Sequence, residues 1–162
     1  MCIVNVNSFA EHKKTSCMAN TFSVTNSSLM KFIILSGRIL FSFIFIVSAF
    51  NHFNPQTIAF SAAHGVPLAK ISVPLSGVVE LIGAAFILLG YRAKLGAWML
   101  VLFLIPVTFT LHQFWKIEDP MMKQLDIAAF MKNISMLGGA LVIAYFGSGP
   151  LSLDTRKITK AI

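Results

Sequence analysis

Charge is the scarcest property of this sequence. Only 12% of its 162 residues are Asp, Glu, Lys or Arg, against about a quarter in an ordinary soluble domain. With 56% hydrophobic residues, 15 Phe and a mean hydropathy of +0.78, too little polar side chain remains to cover a globule in water. A soluble monomer does not fit, and much of the apolar surface must face lipid. Cysteine is scarce as well. Cys2 and Cys17 both precede the first apolar segment and there is no C-x-x-C. That excludes a disulfide framework, dithiol redox chemistry and a thiolate zinc site inside the apolar region, and no metal site is expected. The chain also lacks a glycine-rich phosphate loop, an H-E-x-x-H and a nucleophile elbow, so soluble hydrolase chemistry has no support. Lys and Arg outnumber Asp and Glu by 13 to 6, giving a net charge of +7. No basic stripe is interleaved with aromatics, so the excess reads as membrane topology and not as nucleic-acid binding.

What the sequence does contain is four long apolar runs. The first extends from about Phe32 to Phe53, and as a helix its roughly 22 residues would rise about 33 Å, enough to span a bilayer. A cleaved secretory signal, with Val47-Ser48-Ala49 at its end, is the competing reading. Arg38 inside the run and the run's length suit a retained helix better. The second run covers about Ile71 to Gly90, the third about Leu95 to Trp115, with a kink expected at Pro106, and the fourth about Ile127 to Phe146. Asn54 to Lys70 reads as a loop with a short interfacial helix, Tyr91 to Lys94 as a tight turn, and Lys116 to Asp126 as a charged loop. The expected fold is therefore all-α: a transmembrane four-helix bundle with a disordered N-terminal tail. Its parts are residues 1–29 as tail or misassigned start, with Met30 as a second candidate initiator, residues 30–154 as the membrane domain, and residues 155–162 as a basic tail. Four spans put both ends on one face. Lys13, Lys14, Lys31, Arg92, Lys94, Arg156, Lys157 and Lys160 gather there, against Lys70, Lys116 and Lys123 on the other. The asymmetry predicts that both termini are cytoplasmic.

Ionisable groups inside a span cost about 2.5 to 3.5 kcal/mol each on insertion scales, so Arg38, Glu80 and Lys132 need partners or a purpose. Arg38 lies roughly 10 Å and Glu80 roughly 15 Å from the cytoplasmic ends of consecutive helices, which predicts that they can pair. Arg38, Ser42, Phe45, Ala49 and His52 form one helical stripe. Ser76, Glu80, Gly83 and Ala84 form another, whose small residues admit a close neighbour. Nearer the other face, His52, His112, Gln113, Lys132 and Asn133 form a second polar layer. A buried Arg38–Glu80 pair that only fixes helix register remains open beside a polar cavity or proton relay built from the same groups. His112 could act as a donor or proton carrier toward a ligand carbonyl, against the plainer reading of a histidine bonded across helices. Bis-histidine haem ligation by His52 and His112 is the lesser alternative, since His52 sits at a helix end.

Taken in order, the stretches GRILFSFIFIVSAFNHF with Arg38, ELIGAAFILLGYRAKLGAW with Glu80, the His112 region, MKNISMLGGAL with Lys132 and Asn133, and FGSGPLSLD with Asp154 resemble the DoxX family of small integral membrane proteins. The resemblance covers about Met30 to Asp154. It implies a four-helix membrane bundle and, for some members, quinone-linked sulfur or respiratory redox chemistry; many members have no assigned activity. The resulting expectation is an inner-membrane protein that supports quinone-linked electron transfer, a possible oxidoreductase subunit. In it Arg38, Glu80, His112 and Asn133 shape a cavity for quinone, and His112 with Lys132 would polarise its oxygen and manage its proton. Its partners would be the lipid bilayer, other membrane or redox subunits, and a second copy of itself. The alternative is a non-catalytic membrane scaffold or assembly factor in which Arg38 and Glu80 are structural.

Overall fold

Each long apolar run becomes a helix, because in hydrocarbon only a helix satisfies its own backbone. The computed structural model describes the backbone of residues 6–155 and the side chains of residues 28–155. In order it contains α1 (Val6–Asn51), α2 (Pro55–Ala63), α3 (Ala69–Leu89), α4 (Ala93–Leu111), a 3-10 turn at Phe114–Lys116, and α5 (Pro120–Phe146). No strand occurs among the described residues. Among the described residues four segments are long and apolar enough to cross a membrane: Ser28–Asn51, Ala69–Leu89, Ala93–Lys116 and Pro120–Phe146. The fold is an all-α transmembrane four-helix bundle. Of the tail expected over residues 1–29, residues 1–5 lie outside the described residues. The backbone of residues 6–29 is the leading part of α1, and the span itself starts at Ser28.

The helix ends follow local chemistry. Asn54 caps α2 by accepting from Gln56 N at 2.9 Å, with Pro55 behind it at the first helical position. Gly90 ends α3 in the left-handed region, at φ 63°, where a residue without Cβ is unstrained. The expected loop at Lys116 to Asp126 is mostly helix instead. Asp119 accepts from Met122 N at 2.7 Å and Pro120 opens α5, an N-cap followed by proline that starts the helix about two turns early. Pro106 sits inside a continuous α4, and just beyond it Thr108 Oγ1 donates to Leu104 O at 2.6 Å.

In the bundle α1 packs on α3, α3 on α4, and α4 on α5, with α2 lying against α3. The core between them is Phe45, Ala84, Ile87, Ala97, Leu100, Val101, Phe103, Leu104, Ala140 and Ala144. Small residues set the closest approaches. A Cβ on Gly96 would lie 2.6 Å from Gly83 O, so α3 and α4 touch backbone to backbone. Phe41 of α1 fills the space over Gly139 of α5. Leu40, Phe43, Phe50, Leu75, Leu102, Val142, Tyr145 and Phe146 are exposed on the perimeter, where acyl chains take the place of water.

Candidate functional site

The polar residues of the spans form two centres at opposite ends of the bundle. At the end shared by residue 28 and the segment after α5, Arg38 is buried. Its Nη1 donates to Ser148 O at 2.7 Å and its Nη2 to Leu151 O at 3.0 Å. The segment 147–155 folds across this end and is pinned to the turn between α3 and α4. Asp154 N donates to Gly90 O at 2.9 Å, and the Asp154 carboxylate accepts from Arg92 N at 3.0 Å and Ala93 N at 3.4 Å. Ser148 Oγ donates to Ser152 Oγ at 3.1 Å, and Ser152 Oγ to Gly149 O at 2.9 Å. A Cβ on Gly90 would collide with Ser152 and meet Arg38 Nη1 at 2.7 Å, so close approach as well as φ requires glycine there.

This geometry corrects the expected Arg38–Glu80 pair. Arg38 reaches past the end of α3 to main-chain carbonyls, whereas Glu80 lies nearly three turns back along the same helix. A guanidinium carries five donors in a planar fork, and two carbonyls of one strap match that fork at a helix end. Arg38 therefore does not line the cavity assigned to it with Glu80, His112 and Asn133.

The other three do come together. Ser48, His52, Glu80, His112, Lys132 and Asn133 line a cavity of about 220 Å³ between α1, α2, α3, α4 and α5, with Phe45, Phe103 and Leu104 on its apolar side. Glu80 is 1% exposed. Ser48 in the last turn of α1 and His52 just beyond its end both face its carboxylate. His52 Nδ1 lies 3.3 Å from Glu80 Oε2 and 3.1 Å from Ser48 O. A carbonyl oxygen only accepts, so the latter contact puts a hydrogen on Nδ1 and directs it to Ser48 O. Glu80 Oε2 is left buried without a hydrogen bond.

His112, the residue that ends α4, is held by Asp126 of α5, with Nδ1 to Oδ1 at 2.9 Å. Asn133 is buried on α5, and Lys132 beside it is exposed, so the lysine stands at the mouth of the cavity. The sequestration expected of Lys132 is corrected accordingly: the residue reaches the edge of the cavity from an exposed position on α5, which packs chiefly on α4. Asp126, expected in a loop, lies on α5. The available signal was Asp119-Pro120, which extends the helix and places Asp126 two turns before Asn133 on the same face. No cluster of three or more potential metal ligands occurs among the described residues.

A polar interior assembled in this way belongs to no one family, so the whole chain's pattern has to decide. The family model described as the SURF4 family matches residues 1–160. The chain belongs to the SURF4 family. The expected DoxX membership is corrected by this match, which includes residues 1–29 and which no relative found qualifies in favour of DoxX. The motif stretches that suggested DoxX are apolar helices with small residues and single polar positions, a composition that bilayer packing imposes on many unrelated bundles. The quinone, redox-subunit and oxidoreductase expectations rested on that resemblance and lose their basis with it.

Among relatives of this SURF4 chain, the Surfeit locus protein 4 homolog of Schizosaccharomyces pombe is 25% identical over 159 residues, covering 97% of this chain and 48% of that protein. The inner membrane protein YphA of Escherichia coli is 26% identical over 126 residues, covering 76% of this chain and 89% of that protein. The ER-derived vesicles protein ERV29 of Saccharomyces cerevisiae is 26% identical over 150 residues, covering 93% and 42%. The chain thus spans somewhat under half the length of the two fungal relatives. No solved structure matches it.

Proposed function

We propose that this SURF4-family chain is a non-catalytic integral membrane protein that works by holding a ligand or partner, as a membrane receptor or scaffold does. The observation that carries the reading is the use of Arg38. Its two terminal nitrogens are committed to the carbonyls of Ser148 and Leu151, a structural lock that takes Arg38 out of the cavity beside Glu80. His112 is likewise engaged at Nδ1 by Asp126. A relative named for ER-derived vesicles and another named as an inner membrane protein agree with a membrane role. In this reading residue 28 and the segment after α5 share one face. Both termini are assigned to the cytoplasm, on the basic excess of that face.

The test compares membranes with and without the protein. Quinone-dependent oxidation is expected to be the same in both, and detergent-purified protein is expected to show neither a Soret band nor co-extracted quinone. Either signal at stoichiometric level would overturn the proposal. Thiol labelling of single cysteines placed in the 91–94 turn and in the 64–68 loop tests the orientation: the first is expected to react only from the cytoplasmic side and the second only from the opposite side.

A further inference from the structure

The cavity beside Glu80 does not end at its polar wall. An apolar groove of about 430 Å³ adjoins it, bounded by Val66 and Pro67 of the loop after α2, Leu75 of α3, and Leu102 and Pro106 of α4. His52, Thr57, Phe103, Val107 and Leu111 line both spaces, so the two adjoin along these side chains. Inside a bilayer such a groove favours a hydrocarbon chain, because apolar walls gain contacts from it and none from water or a void.

The polar end of that molecule is specified by two groups. Glu80 lines the cavity, and its Oε2 is buried without a hydrogen bond, with His52 Nδ1 3.3 Å away and committed to Ser48 O. A buried acceptor of this kind calls for a donor. Lys132, exposed at the mouth of the same cavity, offers an ammonium to an anion. The charge order is therefore carboxylate within, ammonium at the rim, and hydrocarbon alongside. A fatty acid would set its carboxylate against Glu80. A choline head would bring charge but no N–H.

We propose that this composite site binds a single-chain zwitterionic amphiphile of the lysophospholipid type. A primary ammonium donates to Glu80 Oε2, the phosphate lies toward Lys132, and the acyl chain occupies the groove between α2, α3 and α4. The assignment rests on the reading of the chain as a binding protein and names what its cavity holds. Its test reads affinity and head-group preference, not electron transfer, so the two can fail separately.

The full chain in nonionic detergent is titrated with lysophosphatidylethanolamine, lysophosphatidylcholine and lysophosphatidylglycerol of equal chain length, following thermal midpoint and binding. The ethanolamine lipid is expected to bind at least about tenfold tighter than either of the others, equivalent to one decade in Kd. Glycerophosphoethanolamine, which has the head without the chain, is expected not to bind. Glu80→Gln is expected to abolish the preference for ethanolamine over choline while retaining chain-dependent binding. Lys132→Gln, at an exposed position, is expected to weaken the ethanolamine and choline lipids alike by about fivefold or more. Equal affinity for the three heads, preference unchanged in Glu80→Gln, or affinity unchanged in Lys132→Gln would each overturn the proposal. If Glu80→Gln does not accumulate, the head-group series on the native chain and the Lys132→Gln titration decide it.

Discussion

The Arg38 guanidinium donates to the carbonyl oxygen of Ser148 at 2.7 Å across 110 residues of chain. With the second bond to Leu151 O, which belongs to a residue held at φ 55°, it fastens the segment after α5 over the open end of the bundle. A non-glycine residue in the left-handed region is strained by about 1 kcal/mol or more. The strap keeps that conformation because its carbonyl is taken by a buried cation.

Arg38→Ala is therefore expected to destabilise the protein by about 3 kcal/mol, the scale of two hydrogen bonds to a charged group. Arg38→Lys keeps the charge but not the fork, and should recover about half of that loss. Thermal unfolding in detergent measures the first effect, and proteolysis after residue 146 reports release of the strap. Equal stability of all three forms would remove the lock.

Asp154 supplies the cap that α4 lacks from its own N-terminal residue. Its carboxylate accepts from Arg92 N and Ala93 N, and Arg92 makes no side-chain cap. Asp154→Ala should cost about 1 kcal/mol, as loss of an N-cap does, and Asp154→Asn a few tenths. Denaturant midpoints of the two variants against the native chain check the order.

Two glycines of the spans should respond in opposite ways to the same change. Gly96→Ala places a Cβ against Gly83 O and Phe86 Cβ, and overpacking of this kind costs about 1 to 3 kcal/mol. Gly138→Ala meets nothing within 4 Å, and should gain up to about 1 kcal/mol from helix propensity. Unfolding midpoints that move in the same direction for both would contradict the α3–α4 contact.

His112 and Asp126 join the end of α4 to α5 through one contact of 2.9 Å. A double-mutant cycle with His112→Ala and Asp126→Ala is expected to give a favourable coupling of at least about 0.5 kcal/mol. Additive losses would show that the two side chains act independently.

Much of the bundle was legible beforehand because hydrocarbon leaves so few options. The stripe Arg38, Ser42, Phe45, Ala49 is buried, as helical periodicity requires of polar groups in a span, and Glu80, His112, Lys132 and Asn133 line one cavity. Pairing was not legible. Depth along a helix limits what a long side chain can reach, but Arg38 had carbonyls of the chain's later segment within range as well as a carboxylate. Only the path of residues 147–155 selects between them. The start of α5 departs from the expected loop for a local reason: the charges of Lys116, Glu118, Asp119, Lys123 and Asp126 suggest a solvated loop, and the capping pair Asp119-Pro120 outweighs them.

The sequence by itself determined four membrane helices and the burial of Arg38 and Glu80, because a scarcity of polar side chains forces apolar runs into lipid and turns these two of their three ionisable groups inward. The tertiary structure alone decided which groups meet: Arg38 with the strap after α5, His52 and Ser48 with Glu80, His112 with Asp126. Those contacts depend on how helices far apart in the chain are rotated and strapped together, and periodicity within any one helix carries no record of that.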